Sequence, residues 1–453
     1  MKTMRRLRQI LFVFLLLSAS AFAGGPLYVG QDGPVDGKPY TWDPAAMPIK
    51  YTVDPGPMSS NAGKVVVDNA TGLQRVAQMF QNWQNVPTAA LSYSYAGTIL
   101  ASGGYVKGAD VATAVQFNAV YGSCTSAQQN PIVFDADGSL MTALGVSSDV
   151  IGFTSICATK ASTGHITGAM IVLNGAWING STQTFQMTGS QFSDAITHEM
   201  GHFAGLDHSQ INVDVLQNFS CDQDTMAGLP LMFPFLMCPG RSDSGLPVIP
   251  TDDAAWISHF YPGPTYSSSY GMITGTIYFS DATSAAQGVN VVARQVDDSG
   301  TIGDESRRVT FSAVSGLYFT GNPGQSITDN KGSAYGSRQA ALIGYYEIPV
   351  LPGTYTVQVE SINSGFVEGS GVGPLNPPVP NPGQDEFWKQ NESAFDIPLQ
   401  SDTITVGAGE TVPNINIILN GTQPRFDRYE DSGSLFDTAP DLQFAASAAE
   451  VTA

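Results

Sequence analysis

Positive charge and histidine are scarce in this sequence. Its 453 residues carry 19 Lys and Arg against 39 Asp and Glu, a formal net charge of −20, and only five His. This excess of acids argues against binding to nucleic acid or to an anionic membrane surface, because both partners are negatively charged. The chain is still 42% hydrophobic, so it can bury a sizeable core, and its length predicts two or three domains.

Cysteine is also rare, and its four positions exclude the common cysteine-based motifs. Cys124, Cys157, Cys221 and Cys238 include no Cys-x-x-Cys pair, so neither a cysteine zinc site nor a thioredoxin-like motif is expected. An even number of cysteines in an exported chain suggests two disulfides, with three possible connectivities. Buried free thiols are the alternative.

Long apolar runs are absent beyond the N-terminal segment, which has the pattern of a secretory signal. A basic start at 2–8 precedes an apolar stretch at 10–17 and a small-x-small cleavage site at 21–23. The apolar stretch is too short to cross a bilayer comfortably. We therefore predict a signal peptide over 1–23, no membrane span in the mature chain, and secretion to the periplasm or the medium.

The part before residue 265 mixes helix and strand patterns. Apolar residues spaced three and four apart predict a helix over 64–84. A second helix is predicted over 191–206 with Ser193 as its N-cap, and a third over 251–260. Strands are predicted at 48–53, 91–95, 132–134 and 166–173. Residues 24–40 are expected to form a short N-terminal segment ahead of a domain over 41–264.

Beyond a serine linker at 267–269, alternating segments separated by turn residues predict a β-sandwich over 265–422. Its predicted strands are 273–279, 289–294, 345–350, 354–360, 403–406 and 415–419. Residues 364–393 have the composition of a long loop. Residues 423–453 have little pattern and are expected to form a loosely ordered tail.

The stretch at 198–208, HEMGHFAGLDH, carries the chemistry. His198 and His202 are four residues apart, so on a helix they project from the same face and both can reach one metal ion. Glu199 lies where it can take a proton from a water activated by the metal without itself being a ligand. A surface helix with incidental histidines is the alternative, although three of the five histidines lie here.

A third ligand is needed, and the same stretch supplies one. Gly205 allows the chain to turn sharply out of the helix, in a conformation that is costly for residues with a Cβ. His208 can then return to the metal as the third nitrogen. Three histidines and one open position form the usual arrangement of catalytic zinc.

At these residues the chain resembles the metzincin metalloproteases, and within them the matrixin-like branch. Ser209 follows the third histidine, at the position whose identity separates metzincin families. Residues 231–234 (LMFP) resemble the matrixin Met-turn, in which a methionine, here Met232, lies beneath the zinc-binding histidines. Residues 252–257 (DDAAWI) resemble the start of the final matrixin helix.

This resemblance covers about residues 40–264 and implies a zinc endopeptidase with a twisted mixed sheet above the active-site helix. It implies one catalytic zinc ion on His198, His202 and His208, and a protein or peptide as substrate. It also implies that the strand near 166–173 is the sheet edge along which an extended peptide pairs.

Several features depart from the matrixin pattern. His208 and Met232 are 24 positions apart, longer than matrixins usually show, so Met226 and Met237 are alternatives for the Met-turn. No Tyr follows two residues after Met232, so the tyrosine ligand of astacin-like and serralysin-like enzymes has no counterpart. The span 24–42 lacks Cys, which argues against latency through a cysteine switch.

The remaining candidate ligands have simpler explanations. His165 and His259 are expected to be ordinary polar residues rather than ligands of a second zinc ion. Residues 135–138 (DADG) follow a strand and offer oxygen ligands for Ca²⁺, but the Glu that completes an EF-hand loop is missing. An Asp/Gly turn is the favoured interpretation.

The C-terminal half resembles the carboxypeptidase regulatory-like, transthyretin-type β-sandwich. The resemblance depends on 273–277 (ITGTI), 288–291 (GVNV) and 346–355 (YEIPVLPGTY). No catalytic group of residues is apparent there, so the resemblance implies a role in stability, spacing or weak binding.

The sequence therefore predicts an α+β metzincin-like catalytic domain followed by an all-β sandwich, in a secreted and monomeric zinc endopeptidase. Two alternatives remain: an adhesive or matrix-binding protein with a vestigial metal site, and a zinc hydrolase acting on a non-peptide amide. With Met232 under the zinc, Cys221 and Cys238 bracket the Met-turn and are predicted to pair, which leaves Cys124 with Cys157. The Cys221–Cys238 disulfide is expected to form part of the wall of the substrate cleft on the primed side, where residues after the cleaved bond bind.

Overall fold

The protein is a mixed α/β molecule with several sheets and a β-rich C-terminal part. The computed structural model describes residues 24–30, 33–35, 37–181, 185–213, 215–218, 221–236, 238–286, 288–316, 340–360, 385–420 and 443–444. The predicted signal peptide, most of the predicted tail and residues 364–384 of the predicted loop lie outside these ranges. Among the described residues, no helix is both long and apolar enough to cross a bilayer.

The first half is built on a five-stranded sheet in the order β4-β1-β5-β7-β6. Strands β4, β1, β5 and β7 run parallel, and β6 is antiparallel to β7. The elements in chain order are β1 Ile49–Val53, β2 Ser59–Asn61, β3 Lys64–Val67, α1 Asn69–Gln84, β4 Tyr93–Thr98, α2 Ala114–Thr125, β5 Pro131–Asp135, α3 Ser139–Leu144, β6 Gly152–Thr159, β7 Ile166–Asn174, α4 Gly189–Phe203, α5 Val215–Asn218, α6 Gln223–Gly228, β8 Phe235–Leu236 and α7 Thr251–Phe260.

The predicted helix over 64–84 begins later than expected, at Asn69. Asp68 is its N-cap, and its side chain accepts a hydrogen bond of 2.8 Å from the Thr71 amide. The preceding residues form β3, which pairs antiparallel with β2. The three consecutive valines of 65–67 favour a strand because β-branched side chains lose rotamer freedom in a helix.

The expectation that the strand near 166–173 is the sheet edge is wrong. The chain turns back between Lys160 and His165, whose backbone amide and carbonyl are 2.8 Å apart, so β6 returns along β7 as its antiparallel neighbour. Strand β7 is therefore interior, between β5 and β6, and β6 is the outer strand.

Helices α1 and α4 pack together and connect the sheet to the candidate metal-binding motif. Trp83 of α1 is buried, and its indole N–H donates a hydrogen bond of 2.8 Å to the carbonyl of Thr197 in α4. The rings of Phe80 and Phe203 meet edge to face at 5.5 Å between centroids. Burial of these large aromatic rings fixes the position of α4.

The β-rich part contains two sheets whose apolar residues share one hydrophobic core. One has the order β11-β10-β13-β14, with β15 also on β13, and the other has β12-β9-β16, with β17 also on β9. The predicted serine linker forms one helical turn, α8. The elements are α8 Tyr266–Ser269, β9 Gly271–Tyr278, β10 Asn290–Gln295, α9 Glu305–Arg308, β11 Thr310–Val314, β12 Tyr345–Val350, β13 Gly353–Glu360, β14 Glu386–Phe387, β15 Ile404–Val406, β16 Thr411–Val412, β17 Ile417–Ile418 and β18 Gln443–Phe444.

One short pair of strands connects the predicted tail to the first half. Strand β18 pairs in parallel with β8. Two residues of the segment expected to be loosely ordered therefore take part in a sheet.

The two halves are joined through a continuous core rather than through a linker alone. Buried residues of α7, such as Trp256, belong to the same hydrophobic cluster as those of β9 and β11. The Trp256 indole N–H donates to the Ser312 carbonyl at 2.8 Å, and the Ser312 amide donates to Asp252 Oδ1 at 2.9 Å. The hydroxyl groups of Ser209 and Ser312 are 2.9 Å apart.

Truncation of the chain after Pro264 is therefore expected to prevent folding of the first half. The truncation would expose the apolar face of α7 and leave buried partners of Ser312 without hydrogen bonds, and each such loss costs stability. Thermal unfolding followed by circular dichroism should show no cooperative transition. A truncation after Asn420, which keeps both C-terminal sheets, is the control. A cooperative transition in the shorter chain would contradict the expectation.

Candidate metal centre

The candidate metal-binding motif begins in α4, whose first turn is fixed by a capping box. The Thr188 side chain accepts a hydrogen bond of 3.1 Å from the Gln191 amide, and the Gln191 side chain accepts one of 3.0 Å from the Thr188 amide. Ser193, the predicted cap, lies inside the helix, where its hydroxyl donates to the Gly189 carbonyl. That prediction is wrong because the Thr-x-x-Gln pair satisfies more of the free amides at the helix start.

Gly205 turns the chain out of α4, as the sequence predicts. Its φ is +93°, a backbone conformation that strongly favours glycine. The N-terminal segment stabilises this turn, because the Leu27 amide donates to the Gly205 carbonyl at 2.8 Å and the Asp207 amide to the Gly25 carbonyl at 3.1 Å. Reversal of the chain at this turn carries His208 back beneath α4.

The three predicted histidines come together and are buried. The Nε2 atom of His208 lies 3.2 Å from Nε2 of His198 and 3.1 Å from Nε2 of His202. Ligand nitrogens around a tetrahedral zinc ion, at Zn–N distances of about 2.0–2.1 Å, are about 3.3–3.4 Å apart. The spacing of the imidazoles thus fits a single metal ion.

Backbone carbonyl groups orient two of these rings. Nδ1 of His198 lies 2.7 Å from the Leu231 carbonyl oxygen, and Nδ1 of His202 lies 2.8 Å from the Leu206 carbonyl oxygen. A carbonyl oxygen only accepts, so each Nδ1 carries the proton and each Nε2 presents a lone pair. This tautomer is the one that binds a metal through Nε2.

Burial keeps the imidazoles neutral. Desolvation lowers the pKa of His202 to about 4, and it lowers the pKa of His198 and His208 well below the ordinary value, with a further contribution from the neighbouring histidines. Neutral imidazole is the metal-binding form. The donor set is therefore ready for a cation at neutral pH.

Glu199 lies next to this group, buried against β6. The Thr154 hydroxyl is 2.7 Å from Oε2 of Glu199 and 2.9 Å from its carbonyl oxygen. A Cβ at Gly152 would lie 3.1 Å from Cγ of Glu199, closer than ordinary contact. Strand β6 therefore determines the position of the carboxylate. The sequence gives no local signal for Thr154, because the contact crosses from a strand to a helix.

The segment around Met232 is held against α4 from two sides. Oδ2 and Oδ1 of Asp253 accept hydrogen bonds from the amides of Leu231 and Met232 at 2.8 and 2.9 Å. The buried Met232 side chain lies against Gly201, where a Cβ would overlap it. The Ser209 amide donates to the Met232 carbonyl at 2.9 Å. Met232 thus packs under the helical turn that separates the first two histidines.

Three buried histidines with converging Nε2 atoms form a group that could hold a metal ion. No known family model and no curated protein matches this sequence. The chemistry of the site therefore follows from its own residues. Three neutral nitrogen donors suit zinc and related transition metals, and the adjacent carboxylate of Glu199 can accept a proton without joining the donor set.

A mostly apolar pocket opens beside His198. The alternative Met-turn residue Met226 contributes to its wall, and the other alternative, Met237, lies outside the described residues. The pocket is lined by Asp194, His198, Met226, Leu229, Pro230, Leu231, Phe233, Phe235, Leu236, Cys238, Pro239 and Arg241. Most of this wall comes from residues 209–241, the long segment after the third histidine, which we call the insertion.

The buried Arg241 side chain stabilises the insertion through hydrogen bonds to backbone carbonyl groups. Its buried guanidinium donates to the carbonyls of Met226 and Leu229 at 2.7 and 3.1 Å, and its Nε donates to the Pro247 carbonyl at 2.7 Å. Its amide donates to Asp194 of α4 at 2.7 Å. Desolvation raises the pKa of Asp194 to about 6 despite these contacts. Arg241 therefore connects the pocket wall to α4, the helix that carries His198 and His202.

The structure pairs the cysteines as the sequence predicts. Cys221 is joined to Cys238 across the insertion, and Cys124 is joined to Cys157 between α2 and β6. Cys238 lines the pocket beside His198. The first disulfide thus closes the loop from which the pocket wall is built.

Replacement of both Cys221 and Cys238 by Ser is expected to lower the free energy of unfolding by about 3 kcal/mol, because the disulfide closes a loop between residues that are 17 positions apart. For the peptide substrate that the resemblance to matrixins implies, it should also change the preference for the side chain that enters the pocket. Thermal unfolding and peptide cleavage profiling measure the two effects. The Cys124→Ser, Cys157→Ser variant is the matched control, since neither residue lines the pocket. An unchanged preference in a folded Cys221/Cys238 variant would limit the loop to a structural role.

The other candidate ligands have contacts of their own. His165 Nδ1 lies 3.3 Å from the Thr41 carbonyl, and His259 lies between the Tyr266 hydroxyl and the Glu347 carboxylate. Asp135 accepts hydrogen bonds from two amides at the start of α3, and burial raises its pKa to about 6. These contacts account for each residue without a metal ion.

Proposed function

We propose that this protein is a secreted zinc-dependent endopeptidase of the metzincin type, with a matrixin-like active site. His198, His202 and His208 are the zinc ligands, Glu199 is the general base, and Met232 is the Met-turn methionine. The convergence of three Nε2 atoms at a spacing suited to one zinc ion carries the proposal. The five-stranded sheet with one antiparallel outer strand, lying over α4, supports it.

Glu199 performs the proton transfers of the proposed reaction. Zinc held by the three histidines supplies Lewis-acid chemistry, polarising a carbonyl group and making water acidic near neutral pH. The Glu199 carboxylate accepts the proton of the attacking water and then delivers it to the amine nitrogen that leaves. The Thr154 hydroxyl keeps Oε2 oriented through its hydrogen bond of 2.7 Å.

The outer strand β6 is the proposed binding edge for an extended peptide. Thr154 on this strand contacts Glu199, so a peptide that adds to β6 by strand addition passes next to the general base. The pocket beside His198 then takes one apolar side chain of the substrate, since most of its lining is apolar.

Cleavage of unfolded casein or gelatin by the purified mature protein tests the proposal. The protein is expected to contain zinc, to cleave these substrates, to lose activity when a chelator removes the metal and to regain it when zinc is restored. Proteome-derived peptide profiling should show an apolar residue directly after the cleaved bond.

Two results would contradict the proposal. Protein that retains zinc but leaves every peptide intact favours an adhesive protein with a vestigial metal site, or a hydrolase of non-peptide amides. Cleavage that persists after zinc has been removed and shown to be absent would exclude the zinc mechanism itself.

A further inference from the structure

A second group of potential metal ligands lies in the β-rich part, apart from the three histidines. Carboxylate oxygens of Glu386, Glu392 and Asp396 lie within 4.8 Å of one another. Glu386 belongs to β14, and the other two belong to the segment that follows it. The Glu386 side chain is buried, with only 1% of its surface exposed. Three carboxylates so close together, one of them buried, repel each other strongly unless a cation or protons intervene.

Backbone amides hold these carboxylates in place. Glu392 accepts hydrogen bonds from the amides of Lys389 and Ile418 at 2.7 and 2.9 Å. Glu386 accepts one through Oε2 from the Asn420 amide at 2.9 Å. Because these donors are fixed by the strands and their turns, the carboxylates are preorganised and cannot simply rotate away from one another.

Two buried oxygen atoms at the site have no hydrogen-bond partner among the described residues. They are Oε1 of Glu386 and the amide oxygen Oδ1 of Asn420. The Asn420 side-chain nitrogen donates to the backbone carbonyl and to Oδ1 of Asp396 at 2.9 and 3.0 Å, which places Asn420 at the cluster. Buried oxygens of this kind are costly unless they find a partner.

The acids of the cluster shift one another's pKa upward, as expected where no cation lies between them. Burial, followed by repulsion from Glu392 and Asp396 and by a side-chain hydrogen bond with Asp396, raises the pKa of Glu386 to about 8, although the Asn420 amide opposes the shift. Burial and repulsion from Asp396 also raise the pKa of Glu392 to about 7, although Lys389 opposes the shift. The Lys389 ammonium group itself donates to Gln400 at 3.0 Å.

We propose that Glu386, Glu392 and Asp396, with the amide oxygen of Asn420, form a calcium-binding site in the β-rich part. All the available donors are oxygens, and carboxylate and amide oxygens are the ligands of hard cations. Ca²⁺ fits better than Mg²⁺ because the oxygens come from separate segments and it accepts irregular coordination. The bound ion joins β14, the segment that follows it and Asn420, which lies two residues after β17. The proposal is independent of the catalytic function.

Thermal unfolding of the full-length mature protein, zinc-loaded and freed of calcium by dialysis, tests the site. Calcium at ten times its dissociation constant is expected to raise the melting temperature by about 1–2 °C, because about 1.4 kcal/mol of binding free energy is spread over a large cooperative unit. Mg²⁺ at the same concentration should produce a clearly smaller shift. Zinc content measured before and after the titration shows that the histidine site is unchanged. A melting temperature that does not respond to calcium would overturn the proposal. The three carboxyl groups would then be held together by protons that they share.

Two variants show whether the calcium-dependent rise in melting temperature comes from this cluster. Glu392→Gln should abolish the calcium-dependent shift, whereas Asp402→Asn should retain it. Asp402 is a matched control because it lies in the same segment and accepts one amide hydrogen bond, from Gln390, but is not in the cluster. A full calcium response in Glu392→Gln would place the ion elsewhere and overturn the proposal.

A spectroscopic measurement keeps the test valid if Glu392→Gln does not fold. Tb³⁺, a luminescent substitute for Ca²⁺, should bind to the wild type and be excited through Trp388, which lies two residues from Glu386 in the chain, when light absorbed by tryptophan and not by tyrosine is used. Calcium should displace it. Trp388→Phe leaves all the proposed ligands in place and should remove most of the emission. Undiminished emission in that variant would show that the ion binds elsewhere, against the proposal.

Discussion

Replacement of Glu199 by Ala is expected to reduce peptide cleavage by about 10²–10⁴-fold while the zinc content stays at the wild-type level. The loss follows from the removal of the proposed general base, a group that typically contributes about 10²–10⁴-fold in rate. Zinc should remain because the three Nε2 donors and the carbonyl groups that orient them are unchanged. Steady-state cleavage of a fluorogenic peptide and elemental analysis measure the two quantities.

The Thr154→Val variant provides a matched comparison for Glu199→Ala. It removes the hydroxyl that contacts Oε2 but keeps the carboxylate, so a smaller loss of activity is expected. Loss of zinc from Glu199→Ala would mean that the carboxylate helps to hold the metal, and the proposed role would then be incorrect.

Replacement of His202 by Ala is expected to abolish both zinc binding and activity. A site reduced from three protein ligands to two holds zinc poorly, and the buried rings of His198 and His208 lose the neighbour that completes the group. Because metal binding stabilises the folded state, the melting temperature should also lose its dependence on added zinc.

His165→Ala is the control for this variant. His165 is half-buried and contacts the Thr41 carbonyl, away from the three-histidine group, so its loss should leave zinc content and activity unchanged. A zinc-replete, active His202→Ala enzyme would exclude His202 as a ligand. Equal loss of zinc from both variants would point to a general defect in folding.

Local sequence signals account for the parts of the site that lie within one turn of helix and the residues after it. The spacing of His198 and His202 and the turn at Gly205 need only the geometry of α4 and of the residue that ends it. Helix starts are also encoded locally. Thr188 with Gln191, and Asp68 before Asn69, are capping signals that define the starts of α4 and α1 better than periodicity does.

Contacts between distant segments could not be predicted in the same way. Asp253 is an ordinary acid in the first turn of α7 by sequence, where it would be expected only to favour the helix dipole. In the structure its carboxylate accepts the amides of Leu231 and Met232. The position of β6 outside β7 likewise depends on which strand pairs with which, a choice that alternation along one strand does not encode.

The way in which the insertion at 209–241 meets the β-rich part limits how the molecule can be recombined. Arg294 donates to Asn212 at 2.8 Å, Arg307 donates to Thr225 at 3.0 Å, and Arg308 lies 3.5 Å from Asp224. The wall of the pocket beside His198 and the strands of the β-rich part therefore have to be exchanged together. A chimera that replaces only 209–241 would break this set of polar contacts, whereas one that replaces 209–241 together with 290–310 would keep it. For the proposed peptidase, substitutions in the β-rich part, at positions far from the histidines, should accordingly alter cleavage preference.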